Sequence, residues 1–152
     1  MSVSFEDIVK GAIEAVKFGA PKARAFFNIR KEIKDELTLN IKLLDKIISN
    51  KALDDQGFIL KLASLQFDML EKYIKLTNIG KYWICRSRVS EKRAQRFKAP
   101  FVFNKNLEEI TRANFISMEE LFRNDVIPSK DVRIRLINIK KRLLVCKDML
   151  AV

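Results

Sequence analysis

Not one of the 152 residues is histidine, and this absence removes the commonest general base and the commonest metal ligand together. Ser-His and Cys-His nucleophiles, zinc helices with paired histidines and helical nucleases built on an Arg-His pair are excluded with it. Glycine and proline are scarce, at 4 and 3 residues. An all-β sandwich or barrel needs such residues at its many turns, so their scarcity points to helices joined by few connections. Gly19, Gly57 and Gly80 stand apart from one another and form no phosphate-cradling loop.

The two cysteines, Cys85 and Cys146, supply no disulfide framework and have no second ligand at metal spacing, which fits a reducing, cytoplasmic compartment. No run approaches the ~18 consecutive apolar residues of a membrane span. Glu6 and Asp7 stand where a secretory leader would carry basic residues. The expectation is a cytoplasmic protein with no transmembrane segment, peripheral contact with an anionic membrane surface remaining open.

What is present describes a basic globular chain. Hydrophobic residues make up 48% and charged ones 32%, too apolar for intrinsic disorder, so the charge decorates a core. The length suits one domain spanning residues 1–152. The net charge of +11 is unevenly placed: residues 81–152 carry 17 Lys and Arg against 8 Asp and Glu, and residues 1–80 carry 13 against 11. The second half is therefore the part suited to an acidic partner.

Apolar periodicity predicts an all-α fold, a helical bundle of about four main helices with short extra helices and a basic linker. Phe5, Ile8, Val9, Ala12, Ile13 and Val16 recur at helical spacing after a Ser4 and Asp7 capping signature, giving a helix over 5–18 that Gly19 and Pro21 end. Phe26, Ile29, Ile33, Leu37, Ile41, Leu44 and Ile48 mark a long helix over 22–49. Asp54 or Asp55 caps a third, over 54–77, carrying Phe58, Leu62, Leu65, Met69, Tyr73 and Leu76, and Asn78-Ile79-Gly80 stops it. Residues 78–106 show no sustained period, apart from a short helix over 90–98 that Pro100 ends. Asn106 with Glu109, and Ser117 with Glu120, are capping signatures within 107–124, giving two short helices or one kinked helix. Pro128 and Ser129 open a last helix over 129–151 with Val132, Leu136, Ile139, Leu143, Cys146 and Leu150 along one seam.

Two basic elements carry the functional expectation. Between Lys81 and Phe103, seven Lys and Arg face a single acid, Glu91, with Tyr82, Trp83, Phe97, Phe101 and Phe103 interleaved. Guanidinium groups neutralise phosphates while aromatic faces stack on unpaired bases, the combination that single-stranded nucleic-acid sites use. Trp83, Arg86, Arg88, Arg93 and Arg96 are the expected contacts. The competing reading has Trp83, Ile84, Phe101 and Phe103 plugging the end of the bundle while the arginines stay solvated or pair with acids elsewhere in the chain. In the last helix, Arg133, Lys140 and Lys147 share a face beside the Leu143 seam, which suits packing onto the chain's own core with a basic flank.

Carboxylates offer one metal-binding alternative. A hairpin of the second and third helices would set Glu32, Asp35 and Glu36 level with Asp68 and Glu71, as in a metal-dependent all-α phosphohydrolase. Lys31, Lys34, Lys72 and Lys75 stand beside those acids as neutralising partners. The expected function is thus non-enzymatic, with no cofactor and no metal: a helical interaction module whose basic C-terminal half binds an acidic macromolecule, RNA or DNA among the candidates. The alternative within the same fold is a regulatory or immunity-type protein that binds another protein through apolar helix faces.

Overall fold

A computed structural model describes the backbone of residues 5–123 and 129–151, and the side chains of 24–123 (55 apart) and 131–151. The Ser4 cap, the Phe5 to Val16 stripe and the Pro128 and Ser129 start signal lie outside the described backbone or side chains. The fold is all-α. Among the described residues there are seven α-helices and one 3-10 turn: α1 Phe5–Ser49, α2 Asp55–Leu62, α3 Asp68–Ile74, α4 Asn78–Ile84, α5 Glu91–Arg96, the turn Pro100–Val102, α6 Leu107–Arg123 and α7 Ser129–Met149.

The first two expected helices are one. α1 runs through Gly19 and Pro21 for 45 residues, about 67 Å at the standard rise. An internal proline removes one helical hydrogen bond and costs about 3 kcal/mol. The flanking Ala20, Lys22, Ala23 and Arg24 are strong helix formers that carry the chain past it. Ile33, Leu37, Ile41 and Leu44 are buried as the spacing requires, with Ile47 rather than Ile48 as the innermost residue of the last turn.

The third expected helix is two, and the reason lies in α1. Asn40, completely buried, donates from Nδ2 to the Gln66 carbonyl at 2.6 Å and accepts the Gln66 amide at 3.0 Å. Four residues earlier, Glu36 accepts the Met69 and Leu70 amides at 2.9 and 3.0 Å. These contacts hold 63–67 out of a helix and cap the N-terminus of α3, whose own cap residue, Phe67, has no side-chain acceptor. Burial raises the Glu36 carboxyl above its ordinary value, and the two amides oppose that shift.

Other helix starts are local. Asp54 caps α2 through the Gly57 amide at 2.7 Å, and Ser90 caps α5 through the Arg93 amide at 3.1 Å. Asn106 and Glu109 form a reciprocal box at α6, at 2.8 and 3.4 Å, and α6 is one continuous helix past Ser117 and Glu120. Asn78-Ile79-Gly80 begins α4 instead of ending a helix, because Thr77 takes the Gly80 amide at 3.2 Å. A β-carbon on Gly80 would stand 3.3 Å from both Leu76 and Phe26, so its bareness lets α4 approach α1.

α7 crosses the domain against α1 and α6. Its six expected seam residues, Val132, Leu136, Ile139, Leu143, Cys146 and Leu150, are all buried. The antiparallel α1–α7 pair is closed at both ends by arginines. Arg30 of α1 donates twice to the Leu150 carbonyl, at 2.9 and 3.2 Å, and Arg133 of α7 donates to the Ile48 carbonyl at 2.6 Å. Each helix thus places a cation on the unsatisfied C-terminal carbonyls of the other, where the helix dipole favours positive charge. Lys140 pairs with Asp45 in between.

Candidate nucleic-acid interface

The basic segment is not an open linker. Val89 and Lys105 share a backbone hydrogen bond of 2.9 Å, as do Asn104 and Val89, which closes residues 89–105 into a compact loop holding α5 and the 3-10 turn. Val89, Ala94, Ala99 and Val102 anchor this loop in the core. Bonds from the Lys98 amide to Gln95 and the Ala99 amide to Ala94 end α5 in a Schellman arrangement. Lys98 occupies its left-handed position at φ 50, a place where glycine costs least.

With its small apolar residues inward and Phe97 partly buried against the core, the loop turns Phe101 and Phe103 outward. Phe101 and Phe103 are 39% and 52% exposed, and Trp83 on neighbouring α4 is 42% exposed. Of the four residues expected to plug the bundle in the competing reading, only Ile84 is buried. A cleft of about 470 Å3 lies along the loop between Ala94, Pro100 and Phe103, with Glu91, Gln95 and Lys98 at its edge.

The five residues expected to meet a partner divide sharply. Arg93 bonds Asp148 of α7 at 2.7 Å, and Arg96 reaches the same carboxylate while lying over the Phe97 ring. Arg88 is held by Glu109 at 3.1 Å and the Asn104 carbonyl at 2.8 Å. These three guanidinium groups help fasten the loop to α6 and α7. Arg86 is exposed, leaning on the Tyr82 ring with its centre 5.9 Å away and touching the Tyr82 hydroxyl at 3.3 Å. Trp83 and Arg86 thus remain presented to solvent, with Arg96 half open at 58% side-chain exposure.

Nearby charge is partly cancelled. Glu108, with a side chain only 13% exposed, receives Lys81 at 2.7 Å and Arg112 at 3.1 Å. Burial works to raise its carboxyl, but the two cations prevail and hold it below the usual glutamate value.

Sequence reasoning passed over one residue of α7. Arg142 is half-buried, its guanidinium stacked on Phe101 at 4.8 Å. Its contacts are neutral and long: Asn114 Oδ1 at 3.5 Å and Ser117 Oγ at 3.3 Å, both from one terminal nitrogen. Asn114 is itself buried, and its Nδ2 has no hydrogen-bond partner among the described residues. Burial pulls the Arg142 guanidinium below the usual arginine value. It also pushes the neighbouring Cys146 thiol well up, so that the thiol stays neutral and provides no counter-charge. Lys141, the preceding residue, donates to the Lys98 carbonyl at 3.0 Å, tying α7 to the loop.

A local signal for Arg142 existed. No acid stands three or four residues to either side of it, whereas Arg112 and Arg123 each have a glutamate four residues before. The same criterion also selects Arg24, Arg30, Arg86, Arg93, Arg96 and Arg133, however, and only the fold separates them from Arg142.

No protein-family model, curated protein or solved structure matches this chain. The function must be read from the site.

Of the carboxylates weighed as a metal alternative, Glu36 does stand level with Asp68 and Glu71, close enough for their charges to act on it, but it is engaged by the α3 backbone amides. Glu32, Asp35, Asp68 and Glu71 are exposed. Among the described residues no three acids or cysteines converge as a metal site. Among them too, no helix is long and apolar enough to cross a membrane.

Proposed function

We propose that the protein is a non-enzymatic binding module for single-stranded nucleic acid, with its interface on the α4–α5 face. The observation that carries this reading is the company the exposed rings keep. Trp83, Phe101 and Phe103 are exposed within the same basic stretch as Arg86, Arg96 and Lys98, and Arg142 of α7 joins it by lying over the Phe101 ring, so stacking surfaces and cations occur together. Each ring stacked on a base contributes roughly 1 to 3 kcal/mol, and each phosphate neutralised adds a salt-dependent increment. Single strands suit this surface better than duplex DNA, whose bases are already stacked on one another. Trp83, Arg86 and Arg96 act as direct contacts; Arg88 and Arg93 hold the loop in shape. A cytoplasmic location belongs to the same proposal.

The test is binding of the purified chain to short single-stranded RNA, single-stranded DNA, duplex DNA and anionic vesicles, each at low and physiological salt. The reading expects a single strand to bind best, to survive physiological salt and to weaken in the Trp83→Ala and Arg86→Glu variants. Weak binding to all four that vanishes with salt overturns it in favour of a protein partner. Preference for vesicles overturns it in favour of a membrane surface.

A further inference from the structure

Every other half-buried arginine of the α1–α7 pair and the closed loop has an anion or a main-chain carbonyl to meet. Arg30 and Arg133 have helix C-termini, Arg93 has Asp148, and Arg135 has Glu120 at 3.1 Å. Arg142 has a ring, an amide oxygen and a hydroxyl, none of them charged. A guanidinium carries five N–H donors, and the two bonds seen leave from one nitrogen.

Holding such a group half out of water with no counter-charge works against the fold, because desolvation penalises an unmatched ion. The partnerless amide of Asn114 beside it adds a second such cost. Two under-satisfied polar groups side by side, in a protein that caps α2 to α6 and gives the other half-buried arginines of this region a partner, mark a place kept for something besides stability. The ring holds the guanidinium in place at 4.8 Å, and a planar fork of donors matches the paired oxygens of a phosphate.

We propose that Arg142, stacked on Phe101, is the anchor for one phosphate of the bound strand. This rests on the nucleic-acid reading and deepens it: the exposed rings and Arg86 give general affinity, and Arg142 sets where the backbone sits. The neighbouring Lys141 and Lys98 strengthen the local positive field.

The test compares wild type, Arg142→Lys and Arg142→Met for a short single-stranded RNA at physiological salt, with melting curves to confirm folding. Lysine keeps the charge but loses the fork, so about a tenfold loss is expected for Arg142→Lys, and more for Arg142→Met. If both variants bind within about twofold of wild type while Arg86→Glu weakens binding, the anchor is overturned and the nucleic-acid reading stands. If wild type binds no strand, that reading fails. Titration of the wild-type chain with pyrophosphate, followed at the arginine Nε–H resonances, then decides the anchor independently. A saturable shift of the Arg142 resonance upholds it, and an unmoved resonance overturns it.

Discussion

Two sets of arginines on α7 and its neighbours look alike in the sequence and behave as opposites in the fold. At the α1–α7 seam, Arg30 and Arg133 each close the C-terminus of the opposite helix. At the edge where α7 meets the 89–105 loop, Arg142 lies on a phenyl ring with no anion to meet. The first pair are structural cations and the third is an exposed obligation of the fold. The charge surplus of the C-terminal half therefore overstates what is available to a partner. Part of it, including Arg88, Arg93 and Lys81, is already neutralised by the protein's own acids.

Substitutions can pull this contrast apart. The frame on which both sets stand should fail first: Leu136→Ala, in the fully buried α1–α7 seam, is expected to lose about 2 to 5 kcal/mol in a urea titration. Arg30→Met and Arg133→Met should each lose about 1.5 to 3 kcal/mol, since each removes a charged hydrogen bond to a helix end. Their oligonucleotide affinity should not change. Arg142→Met should reverse that pattern, with stability held within about 0.5 kcal/mol of wild type or raised, because an unmatched ion is replaced by apolar surface of similar shape. A large loss of stability in Arg142→Met would place this residue with the structural set.

Glu108 sharpens the same contrast through pH. Its carboxyl is held below the ordinary value of 4.5 when folded, so its contribution is present above that value and is lost as pH falls through the folded one. Glu108→Gln should be less stable than wild type by about 1 kcal/mol at neutral pH. The gap should close on acidification, as read by denaturant midpoints across pH. A small gain is expected at Lys98, where glycine would relieve the left-handed backbone. A gain of about 0.5 to 1 kcal/mol in melting experiments on Lys98→Gly would confirm that strain.

How much of this was legible depends on how far each signal reaches along the chain. The α7 seam was fully readable, because burial of Val132, Leu136, Ile139 and Leu143 follows from a spacing within one helix. The caps at Asp54 and Asn106 were readable for the same reason. The break before α3 was not, because its cause is Glu36 and Asn40, which act from 26 to 34 residues away. Nor did Pro21 announce that α1 continues, since local propensity favours a stop that the flanking residues override. At the candidate site, the sequence showed which residues carry charge and rings. It did not show which charges are neutralised, and that depends on Asp148 and Glu109 arriving from other helices.

The clasp between α1 and α7 also governs when the protein can first exist. Arg30 and the carbonyl it holds are 120 residues apart, a separation that a ribosome adding about 5 to 20 residues per second covers in roughly 6 to 24 s. Through that interval the nascent α1 shows Ile33, Leu37, Ile41 and Leu44 to its surroundings without their full eventual cover. Completion of the core thereby waits on synthesis of α7, while α2, α3 and α4 are made early enough to pack on α1 before it.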